Sequence, residues 1–202
     1  MDKITILDQY LPSGVAPAIV RWIDFYQCQF KISRSRTTKL GDYRPPYRGL
    51  GHRISVNYNL NSYDFLVTTV HEFAHLLTWN EHKRKAKPHG KEWKSNFKRM
   101  MVPFLESVVF PEDIRKAIGI HLENPSASSC AALNLLRVMQ RYDDKPAGFV
   151  RVEELTANSL FTLKNGRAFR KQGLVRKRYK CVELKTGMIY LFNPLTEVEM
   201  VV

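Results

Sequence analysis

The sequence has few cysteines, and their number and spacing exclude a disulfide framework. Cys28, Cys130 and Cys181 are the only three in 202 residues, and they lie far apart. Small domains that depend on disulfides carry more cysteines, usually in even numbers. We therefore expect free thiols and a reducing compartment, the cytoplasm.

Long apolar runs are also missing, and acidic residues are scarce. No stretch approaches the roughly 20 apolar residues of a membrane-spanning helix. The first residues do not resemble a secretory signal, so we expect a soluble protein without a membrane partner. The chain has 19 acidic residues and 32 lysines and arginines, which gives a net charge of +13. Such an excess favours polyanionic partners such as nucleic acid.

Hydrophobic periodicity predicts an α+β fold in two parts. The pattern divides the chain into a main domain over residues 1–120, a helix and linker over 121–148, and a basic β-rich module over 149–202. Helices are predicted over 15–29, from a cap at Asn61 or Ser62 to about Trp79, and over 91–101, 112–118 and 126–142. The clearest half-buried strand is predicted over 52–60.

His71-Glu72-Phe73-Ala74-His75 is an HExxH motif in the middle of the predicted apolar helix. Histidines four residues apart project from one helix face and can bind one cation together. Zinc suits imidazole nitrogen, and a catalytic zinc takes three protein ligands. Glu72 is placed to accept a proton from water that the ion activates. The motif therefore predicts two ligands and a general base, although both histidines could instead be ordinary core residues.

The third metal ligand stays open on spacing alone. The residues that follow His75 do not fit the metzincin pattern, in which a glycine and a third histidine stand at fixed positions. His89, in the loop before the next predicted helix, and Glu92, within that helix, are the stronger candidates, and geometry favours His89. His82 and His52 are the remaining candidates and are more typical of surface histidines.

Taken together, these motifs resemble those of the SprT-like zinc metallopeptidases. The resemblance rests on the strand 54–57, the HExxH helix and the segment His89-Gly90-Lys91-Glu92-Trp93-Lys94 with Met100, within about residues 15–110. It implies a zincin-like minimal metallopeptidase domain: a helix, a short antiparallel sheet, the HExxH helix and further helices. It also implies that His89 completes the site of one Zn²⁺ ion. The family includes a protease of DNA-crosslinked proteins, so the resemblance implies a zinc metalloendopeptidase that acts on DNA-associated or DNA-crosslinked proteins.

The tail departs from the pattern of this family. Many bacterial SprT proteins carry a C-terminal zinc ribbon built on paired cysteines, and Tyr179-Lys180-Cys181 resembles a remnant of one. Three cysteines cannot supply the four thiolates of a second zinc site. We therefore expect a degenerate zinc-ribbon region, which keeps β-hairpins without a metal.

Two basic clusters predict contacts with DNA, either single- or double-stranded. A basic strand surface with interleaved aromatics, here Phe161, Phe169 and Tyr179, can follow phosphates and stack unpaired bases. The alternative is a solvated face whose aromatics form the core of the module. The predicted contact residues are Lys83, Arg84, Lys85, Lys87, Arg167, Arg170, Lys171, Arg176, Lys177 and Arg178.

The substrate side of the site is less defined by the sequence. Peptidases of this kind bind an extended substrate along an edge strand, and we expect 53–60 to be that edge. Tyr43, Tyr47 and His52 are candidates for stabilising the oxyanion. Two alternative functions remain: a nucleic-acid-binding protein with a structural zinc and no proteolytic activity, and a peptidase whose basic surface recruits acidic proteins.

Overall fold

The computed structural model describes residues 2–36, 38–123, 125, 130–144 and 148–201, without the side chains of 130–132. The chain forms two compact units, residues 1–143 (unit 1) and 144–202 (unit 2). Unit 1 includes residues 121–143, which belong to the segment 121–148 predicted as helix and linker. Helices and two sheets confirm the α+β class. No helix within the described ranges is long and apolar enough to cross a membrane.

Unit 1 contains six helices and one three-stranded sheet within the described residues. The predicted helices are present with different ends: the first stops at Phe25, the helix that begins at Lys91 continues to Glu106, and the helix that begins at Glu112 continues to Glu123. Residues 126–129 of the last predicted helix lie outside the described part. The elements are α1 (Lys3–Leu7), α2 (Ala16–Phe25), β1 (Gln29–Ser33), β2 (Gly41–Arg44), β3 (Arg53–Asn57), α3 (Ser62–His82), α4 (Lys91–Glu106), α5 (Glu112–Glu123) and α6 (Cys130–Met139).

The central helix of unit 1 is α3, which carries the HExxH motif. As predicted, Asn61 caps its N-terminus, since the side-chain oxygen of Asn61 accepts a hydrogen bond from the Asp64 backbone N–H at 2.9 Å. Phe65, Leu66 and Phe73 are fully buried, because the helix packs against the sheet and against α4. The position of the motif is therefore held by the core of the unit.

The sheet is mixed, with β3 in the centre. β1 pairs with β3 in parallel and β2 pairs with it antiparallel. The expectation of an antiparallel sheet is therefore wrong for β1. The expected edge strand is also wrong: it ends at Asn57, and β1 and β2 are the edges. The alternation of buried residues identifies the buried face of a strand, but it says nothing about which strands lie beside it.

The connection between β1 and β2 is fixed by a buried amide, Asn57. Its NH₂ group donates to the carbonyl oxygens of Arg36 at 3.2 Å and Lys39 at 2.9 Å. Its oxygen accepts a hydrogen bond from Arg36 Nε at 2.8 Å, and Arg36 also donates to Ser55 Oγ at 3.0 Å. Buried polar networks of this kind hold one backbone conformation. The hydrogen bonds of Asn57 and Arg36 therefore hold the chain just before β2, which begins at Gly41.

Unit 2 is the predicted β-rich module. Its core contains Val152, Phe161, Phe169, Cys181 and Val198, all nearly inaccessible to solvent. Cys181 is the one cysteine of this unit and its side chain lies in that core, so it offers no open thiolate. The strands β4 (Phe149–Arg151), β5 (Leu160–Thr162), β6 (Ala168–Val175), β7 (Arg178–Glu183), β8 (Ile189–Phe192) and β9 (Glu197–Met200) form an antiparallel sheet in the order β4-β9-β5-β6-β7-β8.

Candidate metal centre

Three histidines of unit 1 converge on one point. The Nε2 atoms of His71, His75 and His89 lie 3.1–3.2 Å from one another. In a tetrahedral zinc site with bonds of about 2.0–2.1 Å, ligand nitrogens lie about 3.3–3.4 Å apart. Among the described residues, these three form the group that could hold a metal ion. The separation and the all-imidazole donor set both fit zinc.

The position of His89 depends on a tight turn before α4. The Gly90 backbone N–H donates to the Lys87 carbonyl oxygen at 2.9 Å. His89 itself has a φ of 55°, in the left-handed region that residues other than glycine seldom adopt. Such conformations persist where the surrounding structure imposes them, often at functional sites. Here the conformation accompanies the placement of the His89 imidazole beside the two histidines of α3.

An aromatic side chain of α4, Trp93, forms the wall behind the three imidazoles. Its ring centroid lies 4.6 Å from those of His71 and His89 and 5.3 Å from that of His75. Trp93 is almost fully buried. Asn96, one turn further along α4, donates to Thr78 Oγ1 of α3 at 3.0 Å, which fixes the two helices to each other. The ligands are therefore backed by a rigid, apolar surface.

The protonation state of the three imidazoles suits metal binding. Burial lowers the pKa of His71 well below its usual value, and His75 and His89 lower it further. Burial, with His89, lowers the pKa of His75 to about 4, and burial also lowers the pKa of His89. All three rings are thus neutral at pH 7, the form that donates a lone pair to a metal.

The other candidate ligands lie outside this group. Glu92 pairs with Lys91 at 3.9 Å, and His82 is exposed and lies 3.7 Å from Glu81. His52 Nδ1 shares a hydrogen bond of 2.9 Å with the Tyr43 hydroxyl. Spacing along the chain left these alternatives open, and the convergence of the three Nε2 atoms selects His89 from among them.

Glu72 is buried next to His71 on α3 and carries a shifted pKa. Burial raises the pKa of its carboxyl to about 8, and Asp42 adds to the shift. Arg36, Lys39 and a hydrogen bond from the Tyr43 backbone N–H lower the pKa by smaller amounts. A cation at the three histidines would also favour the carboxylate. A carboxyl that titrates near neutrality is suited to general base catalysis at physiological pH.

Sequence reasoning missed Gly41, the first residue of β2, which leaves room for the Glu72 carboxyl. A Cβ built at Gly41 would collide with Glu72 Oε1, and would lie 2.8 Å from Glu72 Cγ and from Thr68 Cγ2. The backbone of Gly41 does not have a positive φ, so its conformation does not require glycine. No local signal could have indicated this role, because the contact joins two elements that are distant in the sequence.

If Glu72 is a general base for hydrolysis, Gly41→Ala should lower kcat by about 10²-fold, the order of effect that a 1 Å displacement of a catalytic group produces. The added methyl group must displace the Glu72 side chain, whereas the three histidines stay in place. Zinc content should therefore remain at the wild-type level. Gly119→Ala is the matched control, because a Cβ there meets nothing within 4 Å. Unchanged kcat in Gly41→Ala would contradict the assigned packing.

The edge strand β2 lies beside the metal centre and brings Tyr43 to it. The Tyr43 ring is parallel to that of His75, with centroids 6.4 Å apart. Burial raises the pKa of Tyr43, so its hydroxyl stays protonated at neutral pH. Of the other two candidates for stabilising an oxyanion, His52 is bonded to Tyr43, and Tyr47 is exposed with Arg48 over its ring.

The predicted basic residues fall into two exposed clusters. The loop cluster lies in the α3–α4 connection that also carries His89, and the hairpin cluster lies on β6, β7 and their turn. The loop cluster consists of Lys83, Arg84, Lys85 and Lys87, and the hairpin cluster of Arg170, Arg176, Lys177 and Arg178.

Two predicted contact residues and the predicted stacking aromatics have other roles in unit 2. Lys171 is buried, and its ammonium donates to the Leu155 carbonyl oxygen, so it cannot reach a phosphate from this position. Arg167 Nε pairs with Glu183 at 2.7 Å. Phe161 and Phe169 are core residues, so the prediction that they stack on bases is wrong. Side chains two positions apart on a strand share one face, and on β6 the buried face holds Phe169 and Lys171, whereas Arg170 points to solvent.

An α+β domain with an HExxH helix and a third converging histidine is metallopeptidase-like. Residues 19–113 match the model of the SprT-like family, and this part of the chain is a SprT-like domain. The matched residues run from α2 into α5 and include the sheet, Glu72 and all three histidines. No curated protein and no solved structure matches the chain.

Proposed function

We propose that the protein is a zinc-dependent metalloendopeptidase with a zincin-like catalytic domain. One observation carries the proposal: three neutral imidazoles direct their Nε2 atoms at one point, with the buried Glu72 carboxyl on the same helix. The SprT-like match over this segment supports it. Zinc is the proposed ion because the donors are imidazoles alone and their spacing fits tetrahedral coordination.

The proposed chemistry divides between the ion and the chain. When bound, zinc supplies Lewis acidity, which activates water and polarises a carbonyl oxygen. Glu72 accepts the proton of the attacking water and returns it to the amide nitrogen as the C–N bond breaks. The Tyr43 hydroxyl, which burial keeps protonated, is the proposed hydrogen-bond donor toward the substrate carbonyl, with its oxygen accepting the His52 Nδ1–H in the 2.9 Å bond between the two residues.

The proposed substrate is an extended polypeptide that pairs with β2. This strand is an edge of the sheet, and its first residue, Gly41, lies against the Glu72 side chain. A peptide that forms backbone hydrogen bonds with this edge would therefore have a peptide bond close to the metal centre. We further propose that DNA is a partner and that the substrates are DNA-associated or DNA-crosslinked proteins. The net charge of +13 and the two exposed basic clusters support this.

A single assay tests both parts of the proposal. Zinc-loaded protein is mixed with an unfolded basic protein, with and without a single- or double-stranded oligonucleotide, and cleavage and DNA affinity are followed as salt increases. We expect chelation to abolish cleavage and DNA affinity to fall linearly on a log–log plot against salt. Replacing Arg170, Lys177 and Arg178 by alanine should reduce that slope by about 2–3, since each phosphate contact contributes about 0.9. Arg176 is left unchanged because its φ of 55° disfavours alanine.

Controls and alternatives follow from the same assay. Arg115→Ala with Lys116→Ala removes two exposed cations that pair with Glu112, and should leave the slope unchanged. If chelation unfolds unit 1 and no cleavage occurs with or without DNA, the protein is a nucleic-acid-binding protein with a structural zinc. Cleavage without any DNA affinity would favour recruitment of acidic proteins instead.

A further inference from the structure

A cavity of about 440 Å³ opens beside the metal centre in unit 1. Its lining includes His71 and Glu72 and continues along α3 to Asp64. Asp64 precedes His71 by seven residues, so the cavity follows the helix for two turns, about 10 Å along its axis. A substrate residue whose side chain occupies this cavity would therefore have its backbone next to His71 and Glu72.

The walls of the cavity are mainly apolar. Val67 comes from α3 and Trp93 from α4, and Leu135 and Leu136 of α6 close the opposite side. Aliphatic walls of this kind pack against methylene groups, and their burial is favourable at about 25 cal/mol per Å² of apolar surface. The cavity thus suits the stem of a long side chain.

Apart from Glu72, the charged residues of the cavity lining are Asp64 and Lys39, and the Lys39 ammonium pairs with Asp42 at 2.7 Å. The Asp64 carboxyl has no hydrogen bond or ion pair among the described residues, and burial raises its pKa to about 7, with a further contribution from Asp143. In a chain with a net charge of +13, an acid in a cavity without a cationic partner is unusual.

A second unpartnered group lines the same cavity. His121 is 8% exposed, and its Nδ1 atom has no hydrogen-bond partner within the described part of the chain. Burial lowers the pKa of His121, so the ring is neutral at pH 7 and does not compete for Asp64 as a cation. Asp64 and His121 thus add two polar side chains without partners to a mainly apolar lining, which is typical of a ligand site.

We propose that this cavity is the specificity pocket of the peptidase and takes the side chain of a lysine or arginine next to the scissile bond. The aliphatic stem would pack on Val67, Leu135 and Leu136, and the cationic head would pair with Asp64. The inference rests on the proposed function, which it extends to the class of substrate. A glutamate at that position is rejected by charge, and a neutral side chain of equal length leaves Asp64 unpaired.

The raised pKa of Asp64 also has a consequence for the stability of the protein. The pKa of Asp64 is raised above its unfolded value of about 3.9, so its stabilising contribution is present below that pH and is lost as pH rises toward 7. Asp64→Asn should therefore raise the Tm by a few degrees at pH 8, and by less at pH 5.

The decisive measurement is peptide binding to zinc-loaded Glu72→Gln protein, which should hold peptides without cleaving them. Peptides carry lysine, arginine, norleucine or glutamate at one guest position, placed on either side of the scissile bond in turn. We expect the lysine and arginine peptides to bind at least about 10-fold more tightly than the norleucine peptide, the effect of one charge-assisted hydrogen bond. Adding Asp64→Asn should remove most of this preference, whereas Glu112→Gln, an exposed acid in the first turn of α5, should not change it.

A second variant keeps the test independent of any effect of Asp64 on folding. Val67→Phe narrows the cavity and should weaken binding of all long guest side chains, while a peptide with alanine at the guest position keeps its affinity. If the lysine preference is absent, or survives both Asp64→Asn and Val67→Phe, the pocket assignment is wrong. If the preference behaves as expected but wild-type protein cleaves no peptide, the pocket stands and the proposed hydrolysis fails.

Discussion

Glu72→Gln is expected to lower kcat for peptide hydrolysis by about 10²–10⁴-fold, the usual contribution of a general base. Glutamine keeps the size of the side chain but cannot accept the proton of the attacking water. The Glu72 carboxyl is not part of the group that could hold the metal, which consists of His71, His75 and His89. Zinc content should therefore stay at one ion per chain, measured by atomic absorption on the purified variant.

The pKa of Glu72 provides a check that the variant is folded. Because burial raises this pKa to about 8, the stabilising contribution of the carboxyl is present below its unfolded value of about 4.3 and is lost as pH rises toward 8. Glutamine removes this dependence. The metal-free variant should consequently be at least as stable as the metal-free wild type at pH 8, measured by thermal denaturation.

The matched control for Glu72 is Glu92→Gln, which neutralises an acid near the centre that pairs with Lys91. It should retain both zinc and activity. A wild-type kcat in zinc-loaded Glu72→Gln protein would show that another group activates the water and would contradict the proposed mechanism.

His89→Ala is expected to abolish tight zinc binding, and activity with it. Loss of an outer-shell partner already weakens a metal site by about 10–100-fold, and loss of one of three protein ligands should exceed that. In the wild type, zinc at 100 times its Kd should raise the Tm by roughly 5–10 °C, from about 2.7 kcal/mol of binding free energy. In the variant this zinc-dependent rise should disappear.

The design of this test must allow for the backbone at His89. Its φ of 55° is unfavourable for alanine but is tolerated by asparagine, so His89→Asn should give the same loss of zinc with less effect on folding. His82→Ala removes an exposed histidine from the same connection and should leave the zinc-dependent rise in Tm unchanged. If zinc binding survives both His89 variants but is lost in Glu92→Gln, the third ligand is Glu92 and not His89.

The helices and the motif on α3 could be predicted from the sequence because their signals are local. Asn61 caps α3 through a hydrogen bond to a residue three positions away. The helical spacing of the apolar residues indicates by itself that α3 is buried. The two histidines of the motif share a helix face whatever the rest of the chain does. For the same reason, resemblance to a known family could be recognised from short segments at characteristic spacing.

The sheet was predicted less well because strand order is not a local property. Alternation identified the strand that contains Ile54 and Val56, yet it did not show that β1 joins β3 in parallel or that β2 is the edge beside α3. In unit 2, the same limit led to the assignment of Lys171, Phe161 and Phe169 to a nucleic-acid surface. Which face of a strand is buried depends on what packs against it.

The sequence by itself determined that His71, Glu72 and His75, the proposed ligands and base, lie together on one helix, because fixed helical geometry relates neighbouring positions. It also determined the charge of the surface and the absence of a four-thiolate second zinc site. Only the tertiary structure brought His89 to the other two histidines, placed Gly41 against Glu72, and enclosed Asp64 and His121 in one cavity with His71, Glu72 and His89. These contacts join elements distant in the chain, and the packing of the whole unit, rather than any local pattern, decides which of them meet.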